Sequence, residues 1–178
     1  MSLTKRKKFI PNVCSCCKQT TEYALPLDRG TALIVLAIFN RIRDKKQNLV
    51  HVGNEMVRPA SDFSSYRDMV AGGWMTFKME GNLSRARFHG LIAMEERGFY
   101  LLTKKGARFL RGESVPRVAI IDKTTGHKAY YLEEEKDCVT FGGLLKRETP
   151  FWDLSDTQLD RIGEYAPIET STAPLFAL

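Results

Sequence analysis

The sequence predicts an α+β protein with a mostly helical core followed by a small β-rich extension. Three observations carry this reading. The apolar run from Ala32 to Phe39 reads as a central helix. The stretch from Asn82 to Leu110 is punctuated by Gly90 and Gly98 into helix, hairpin and helix. From Pro116 onward the pattern becomes that of short strands separated by turns. A chain of 178 residues, 43% hydrophobic, suits one compact domain or a domain with a small appendage, with no need of disulfide staples.

Residues 1–26 read as a polar, basic, cysteine-bearing lead. Pro26 then opens a helix with Asp28 as N-cap, and Leu33, Leu36, Ala37 and Asn40 follow at helical spacing. The helix ends on polar residues: Arg41, Arg43, Asp44, Lys45 and Lys46. Leu49-Val50-His51-Val52 is a short β-like run closed by Gly53-Asn54. Ser61 and Asp62 look like the cap of a second helix over 62–70, which Gly72-Gly73 ends. Residues 74–81 read as a loop with Trp74 and Phe77 packed inward.

Asn82 or Ser84 can cap a short helix through His89, and Gly90 suits the left-handed stop after it. Strands are then expected over 91–94 and 99–102, joined by Glu95-Glu96-Arg97-Gly98. A rival reading runs one helix over 83–97. The hairpin is preferred because Gly90 costs about 1 kcal/mol inside a helix. Thr103 caps a further helix leading to Gly112. Residues 117–121 and 128–132 form a strand pair around the turn 123–126, with 138–141 as a third strand ended by Gly142-Gly143. A last short helix is expected over 153–162, and a loose tail over 166–178. The segments are therefore 1–26, 27–112 (core), 113–165 (extension) and 166–178.

The net charge of +6 is unevenly spread. Residues 1–132 hold 23 bases against 11 acids, a net +12, and the remainder holds four bases against ten acids, a net −6. A basic body beside an acidic segment points to a polyanionic partner, nucleic acid first. Ordinary solubility charge is the bland alternative. No run approaches the roughly 18 apolar residues of a membrane span. The basic start, Lys5 to Lys8, is not followed by an apolar signal core. Four cysteines, three of them within Cys14 to Cys17, are a poor disulfide framework and suit a reducing, cytoplasmic setting.

Helix, strand, helix, short helix and hairpin is the order of a winged-helix domain, a helix-turn-helix variant. The phrase from Leu102 to Leu110, LTKKGARFL, resembles one that follows the wing in many winged-helix regulators. Arg85 to Ile92, Phe99 to Leu110 and Arg111 to Arg117 together resemble small uncharacterised phage and prophage winged-helix proteins. That group often opens with a "CPxCG" knuckle, and the resemblance covers roughly residues 14–160. This chain departs from the knuckle pattern. It reads Cys14-Ser15-Cys16-Cys17-Lys18, with neither the proline nor the final glycine, and His89 stands where an aromatic is usual before Gly90.

In a winged-helix domain the helix over 82–89 is the recognition helix. Leu83 and Phe88 are then expected to face the core, and Ser84, Arg85, Arg87 and His89 to face outward toward DNA. Lys104, Lys105, Arg108 and Arg111 follow the wing, and Lys104, Arg108 and Arg111 share one helix face as a phosphate-contacting stripe. A plain solvated face is the alternative for both groups. The wing tip, with Glu95 and Glu96 beside Arg97, repels phosphate. The Lys5–Lys8 cluster is either a groove-following arm or a soluble terminus. Cys14 and Cys17 have the spacing of a zinc knuckle but lack a second pair. Zinc would need a distant ligand or a dimer partner, and the alternative is free thiols or an opportunistic disulfide. His51 and His127 have no evident partner in sequence, and there is no P-loop, dinucleotide fingerprint, GxSxG or HExxH. The expected function is non-catalytic binding of double-stranded DNA in a phage-type transcriptional or other DNA transaction. The alternative is a protein-interaction adaptor that uses the acidic C-terminal part, acting on a host factor; a homodimer or other protein partner is expected as well. A metal-dependent enzyme would need convergent Cys, His and carboxylate groups.

Overall fold

The computed structural model describes residues 10–126, 128–131 and 138–145. The Lys5–Lys8 cluster, His127, the helix expected over 153–162 and the tail over 166–178 lie outside the described residues. The fold is α+β, with helices around one core and antiparallel sheets.

Strand β1 (Glu22–Pro26) comes first, inside the segment read from sequence as a polar lead. Its leading residue, Glu22, is buried because both carboxylate oxygens are used. One accepts from the Tyr130 hydroxyl at 2.6 Å and the other from the Asn12 amide at 3.2 Å. Helix α1 (Arg29–Lys45) follows. Asp28 caps it as expected, accepting from both the amide and the hydroxyl of Thr31 at 2.8 Å. Every residue from Thr31 to Asn40 is buried, so the helix is covered on all sides.

Strand β2 (Val50–His51) runs directly into α2 (Val52–Met56), so Gly53-Asn54 lies inside a helical turn rather than closing a strand. The second helix expected over 62–70 is shorter and starts later. A 3-10 turn (Ala60–Asp62) precedes α3 (Tyr66–Ala71), and the cap is Ser65, whose hydroxyl accepts from the Asp68 amide at 3.1 Å. The expected loop over 74–81 contains helix α4 (Phe77–Glu80), capped by Thr76. Helix α5 (Leu83–Phe88) continues it, since Gly81 and Asn82 both keep right-handed helical backbone. Phe77, expected inside, is 72% exposed.

The hairpin is present: β3 (Ile92–Glu96) pairs antiparallel with β4 (Phe99–Leu102), with a register shift between Met94 and Glu96. Gly90 has φ +70° and stops α5 as a left-handed residue, which excludes the single helix over 83–97. Strand β2 pairs with β4, giving the order β2-β4-β3. Helix α6 (Lys104–Leu110) is capped by Thr103, whose hydroxyl accepts from the Gly106 amide at 3.0 Å and donates to the Gly90 carbonyl at 2.6 Å.

In the extension, β5 (Val115–Pro116) precedes β6 (Val118–Asp122), and β7 (Lys128–Tyr130) pairs with β6. The other edge of β6 is taken by β1, from Glu22↔Asp122 to Pro26↔Val118. The expected third strand is two residues long, β8 (Cys138–Val139), and pairs with β5 instead. Residues expected to finish it form helix α7 (Phe141–Leu144), capped by Thr140.

Two glycines give a stability test. A Cβ on Gly106 would lie 2.0 Å from the Leu91 carbonyl oxygen, so α6 can only seat there without a side chain. A Cβ on Gly81 would meet nothing nearer than the Lys78 carbonyl at 3.7 Å, in helical backbone. Gly106→Ala is expected to cost about 3 kcal/mol in urea or thermal unfolding. Gly81→Ala is expected to stabilise by about 0.5–1 kcal/mol, because it removes unfolded-state freedom without a clash.

Candidate nucleic-acid interface and cysteine turn

Helices α3, α4 and α5 form two helical arms joined by a tight turn over 72–76. Gly73 makes the turn possible: its φ is +72°, and a Cβ there would lie 2.7 Å from the Arg41 backbone nitrogen. The turn is therefore pressed onto α1. The buried Asn40 amide donates to the Val70 carbonyl at 3.0 Å and ties the end of α3 to α1. Trp74 lies between two guanidinium groups, with Arg41 at 4.4 Å and Arg58 at 4.8 Å from its ring centroid.

The α4–α5 arm has two faces. Met79, Leu83 and Ala86 are buried at helical spacing. Phe77, Lys78, Gly81 and Ser84 are exposed, at steps of one, three and three residues. Sequence reasoning missed Phe77 and Lys78 because it read their segment as loop. The readable signal was the apolar spacing Met79-Leu83-Ala86, which runs across Gly81-Asn82 behind the Thr76 cap.

The other nominated residues differ in exposure and in the contacts they make. Ser84 is exposed, and Arg87 is half-buried. Arg85 is half-buried and ion-paired with Asp28, the α1 cap. His89, expected to face outward, is fully buried, and this corrects the sequence reading. Its Nε2 lies 3.0 Å from the Leu25 carbonyl of β1, so Nε2 carries the proton and donates. Its Nδ1 is buried with no hydrogen-bond partner among the described residues. Burial pushes the imidazole down to about 4, and the positive charge of Lys105 adds to this.

Lys104, Arg108 and Arg111 are exposed on and just after α6, as the stripe requires. Lys105 is not part of it. Its ammonium donates to the Tyr131 hydroxyl at 2.9 Å and lies 4.5 Å from that ring centroid. Burial lowers the Lys105 ammonium and pushes the Tyr131 phenol up to about 12. The same hydroxyl donates to the His89 carbonyl at 3.1 Å. Lys105, Tyr131 and His89 thus connect the extension to the end of α5. Glu95, Glu96 and Arg97 are exposed at the hairpin tip.

Before β1 the chain makes a tight cysteine turn. Val13 and Thr20 form a β-bridge, and inside it the Cys14 amide donates to Gln19 O at 2.8 Å and the Lys18 amide to Cys14 O at 3.0 Å. Lys18 takes φ +58°, the left-handed conformation that glycine would adopt without strain at that place. The sulfurs of Cys14, Cys16 and Cys17 all lie within 4.8 Å of one another and could hold a metal ion. Cys14 and Cys16 are 3.0 Å apart as free thiols. Hydrogen bonding from its cysteine neighbours brings the Cys14 thiol down to about 6 and raises that of Cys16. The third sulfur, Cys16, was not among the nominated ligands. No protein-family model, curated protein or solved structure matches the chain.

The buried histidine sets a pH dependence. Its folded pKa is about 4 against an ordinary 6.5. The unfolded chain therefore binds the proton first, and stability falls as pH drops from about 6.5 toward 4. Between pH 7 and pH 5 the wild type should lose about 2 kcal/mol through this group, at about 1.4 kcal/mol per pKa unit. His89→Gln should be less stable at pH 7 but lack that slope. Urea unfolding at a series of pH values checks it, and equal slopes in the two proteins would exclude the histidine as the cause.

Proposed function

We propose that the protein is a non-catalytic binder of double-stranded DNA built on a winged-helix core, acting in transcription or another phage-type DNA transaction. The observation that carries this reading is the succession α1, β2, α2, a 3-10 turn, α3, turn, α4–α5 and the β3–β4 hairpin, with β2 closing the sheet against β4. That is the connectivity in which the second arm of a helix-turn-helix is offered to the major groove. The exposed face of that arm is Phe77, Lys78, Gly81 and Ser84. Near the N-terminal end of a recognition helix, such side chains meet base edges, and an aromatic ring suits the thymine methyl group.

The backbone-contacting residues in this reading are Lys104, Arg108 and Arg111 on the neighbouring α6, with Arg87 beside the recognition face. Arg85 and Lys105 primarily join elements of the fold, and His89 leaves the contact set. The acidic hairpin tip lies off the phosphates. The body's net +12 supplies the long-range attraction. Zinc, where it enters this reading, sits on the cysteine turn with no part in the DNA contact.

A protein-interaction adaptor, or a self-associating copy, is the second reading. The exposed Phe77 favours it, together with Tyr66, which is 46% exposed.

Fluorescence anisotropy of a labelled duplex at two salt concentrations separates the readings. Wild-type affinity should fall steeply with salt. Arg108→Ala should weaken all duplexes alike and flatten the salt slope by about one unit. Lys78→Ala and Phe77→Ala should weaken a preferred sequence by about 1–3 kcal/mol and relax its selectivity. Glu96→Ala should leave binding unchanged or tighten it. Absence of binding at low salt, with Phe77→Ala abolishing self-association or partner capture, would favour the adaptor.

A further inference from the structure

The cysteine turn offers a ligand set that the spacing of Cys14 and Cys17 alone does not describe. We propose that Cys14, Cys16 and Cys17 form a three-thiolate site for one thiophilic d10 cation, with a fourth coordination position open to solvent or a small exogenous ligand. This extends the zinc reading by one sulfur and an open position. It does not depend on DNA binding.

Geometry supports the third sulfur. Thiolates bound at about 2.3 Å in a tetrahedral array stand about 3.8 Å from one another. The three sulfurs here are all within 4.8 Å of one another, with Cys14 and Cys16 at 3.0 Å, so they already lie near the spacing that one shared ion requires.

The backbone is held in place around them. Besides the bonds from Cys14 to Gln19 and from Lys18 to Cys14, the Thr21 amide and hydroxyl both donate to Asn12 O, at 2.8 and 3.0 Å. The Lys18 ammonium reaches back to Ser15 O at 2.8 Å, closing the turn with a positive charge. A cation of charge two on three thiolates leaves a net negative site, which that charge offsets. The turn is therefore a preformed loop, and binding has little chain to order.

The open position follows from the surroundings. Cys16 and Cys17 are exposed and Cys14 is half-buried. Among the described residues, no histidine, carboxylate or further cysteine joins the group. Closed structural zinc sites have four protein ligands, and a site with three keeps a position for water or another molecule. Three sulfurs with no oxygen ligand select soft cations such as Cu(I), Zn(II) and Cd(II) over magnesium or calcium. Binding must displace the thiol protons.

Cadmium is the probe for the test, because each thiolate adds to the ultraviolet sulfur-to-cadmium charge-transfer band. The reduced full-length protein should bind one Cd(II) per chain as a monomer, with intensity for three thiolates. Cys16→Ser should lose about a third of the band and weaken binding by about tenfold or more. Cys138→Ser should change neither. Since Cys16 is exposed, circular dichroism should find its variant folded. An unchanged band in Cys16→Ser would reduce the site to the Cys14–Cys17 pair and overturn the proposal. So would loss of binding in Cys138→Ser, a requirement for two chains per ion, or no cadmium bound at micromolar concentration.

Discussion

Helix α1 has no water-facing side from Thr31 to Asn40, and the other elements are arranged to cover it. Its neighbours are α3, α4, α5, α6, α7, β2 and β4. Gly73 lets the turn after α3 lie against the Arg41 backbone, where any side chain would collide. Asn40 turns a buried polar group into a tether by binding Val70 O. At the other end, Asp28 satisfies the first turn of α1 and holds Arg85 of α5. One buried helix thus fixes both arms, including the α4–α5 arm that carries the candidate recognition face.

The extension packs Val115, Phe141 and Leu145 into the same core, and polar groups add a second junction. The His89 imidazole donates to β1 and its carbonyl accepts from Tyr131, while Lys105 supports Tyr131 from α6. Burial keeps this histidine neutral, and Leu25 O, which can only accept, places the ring's proton on Nε2. The arrangement explains why a residue next to a helix stop, in a basic segment, is unavailable to a ligand. It is spent on holding β1 against the end of α5.

Much of the local structure was legible because local rules decided it. Asp28 and Thr103 cap their helices, Gly90 takes the left-handed stop, and the glycine turn places β3 against β4. Features that depend on distant partners were not legible. Strand β1 exists because β6, nearly a hundred residues later, supplies its ladder, and Glu22 is tolerated inside because Tyr130 donates to it. The short α4 was hidden by its length: a single capped turn gives almost no periodic signal on its own. Val139 and Cys138 look like strand residues in any context, and only the proximity of β5 decides which strand they join.

Charge counting and charge presentation also separate here. The net +12 of the first 132 residues is a property of composition, whereas binding depends on which cations reach the surface. Arg41 and Arg58 are stacked on Trp74, Arg85 is paired with Asp28, and Lys105 lies against Tyr131. These guanidinium and ammonium groups serve as internal fasteners, a use that suits arginine because its planar face packs while its edges still donate. What remains outward on the α4–α5 arm is a sparse set: an aromatic ring, one lysine, a glycine and a serine. Such a face has little electrostatic attraction of its own. In the proposed DNA reading, its discrimination would come from shape and a few hydrogen bonds, and the basic residues of α6 would supply the non-specific attraction. In that reading, affinity and selectivity would fall to separate helices, held in fixed relation by Thr103 at Gly90 and by Gly106 at Leu91.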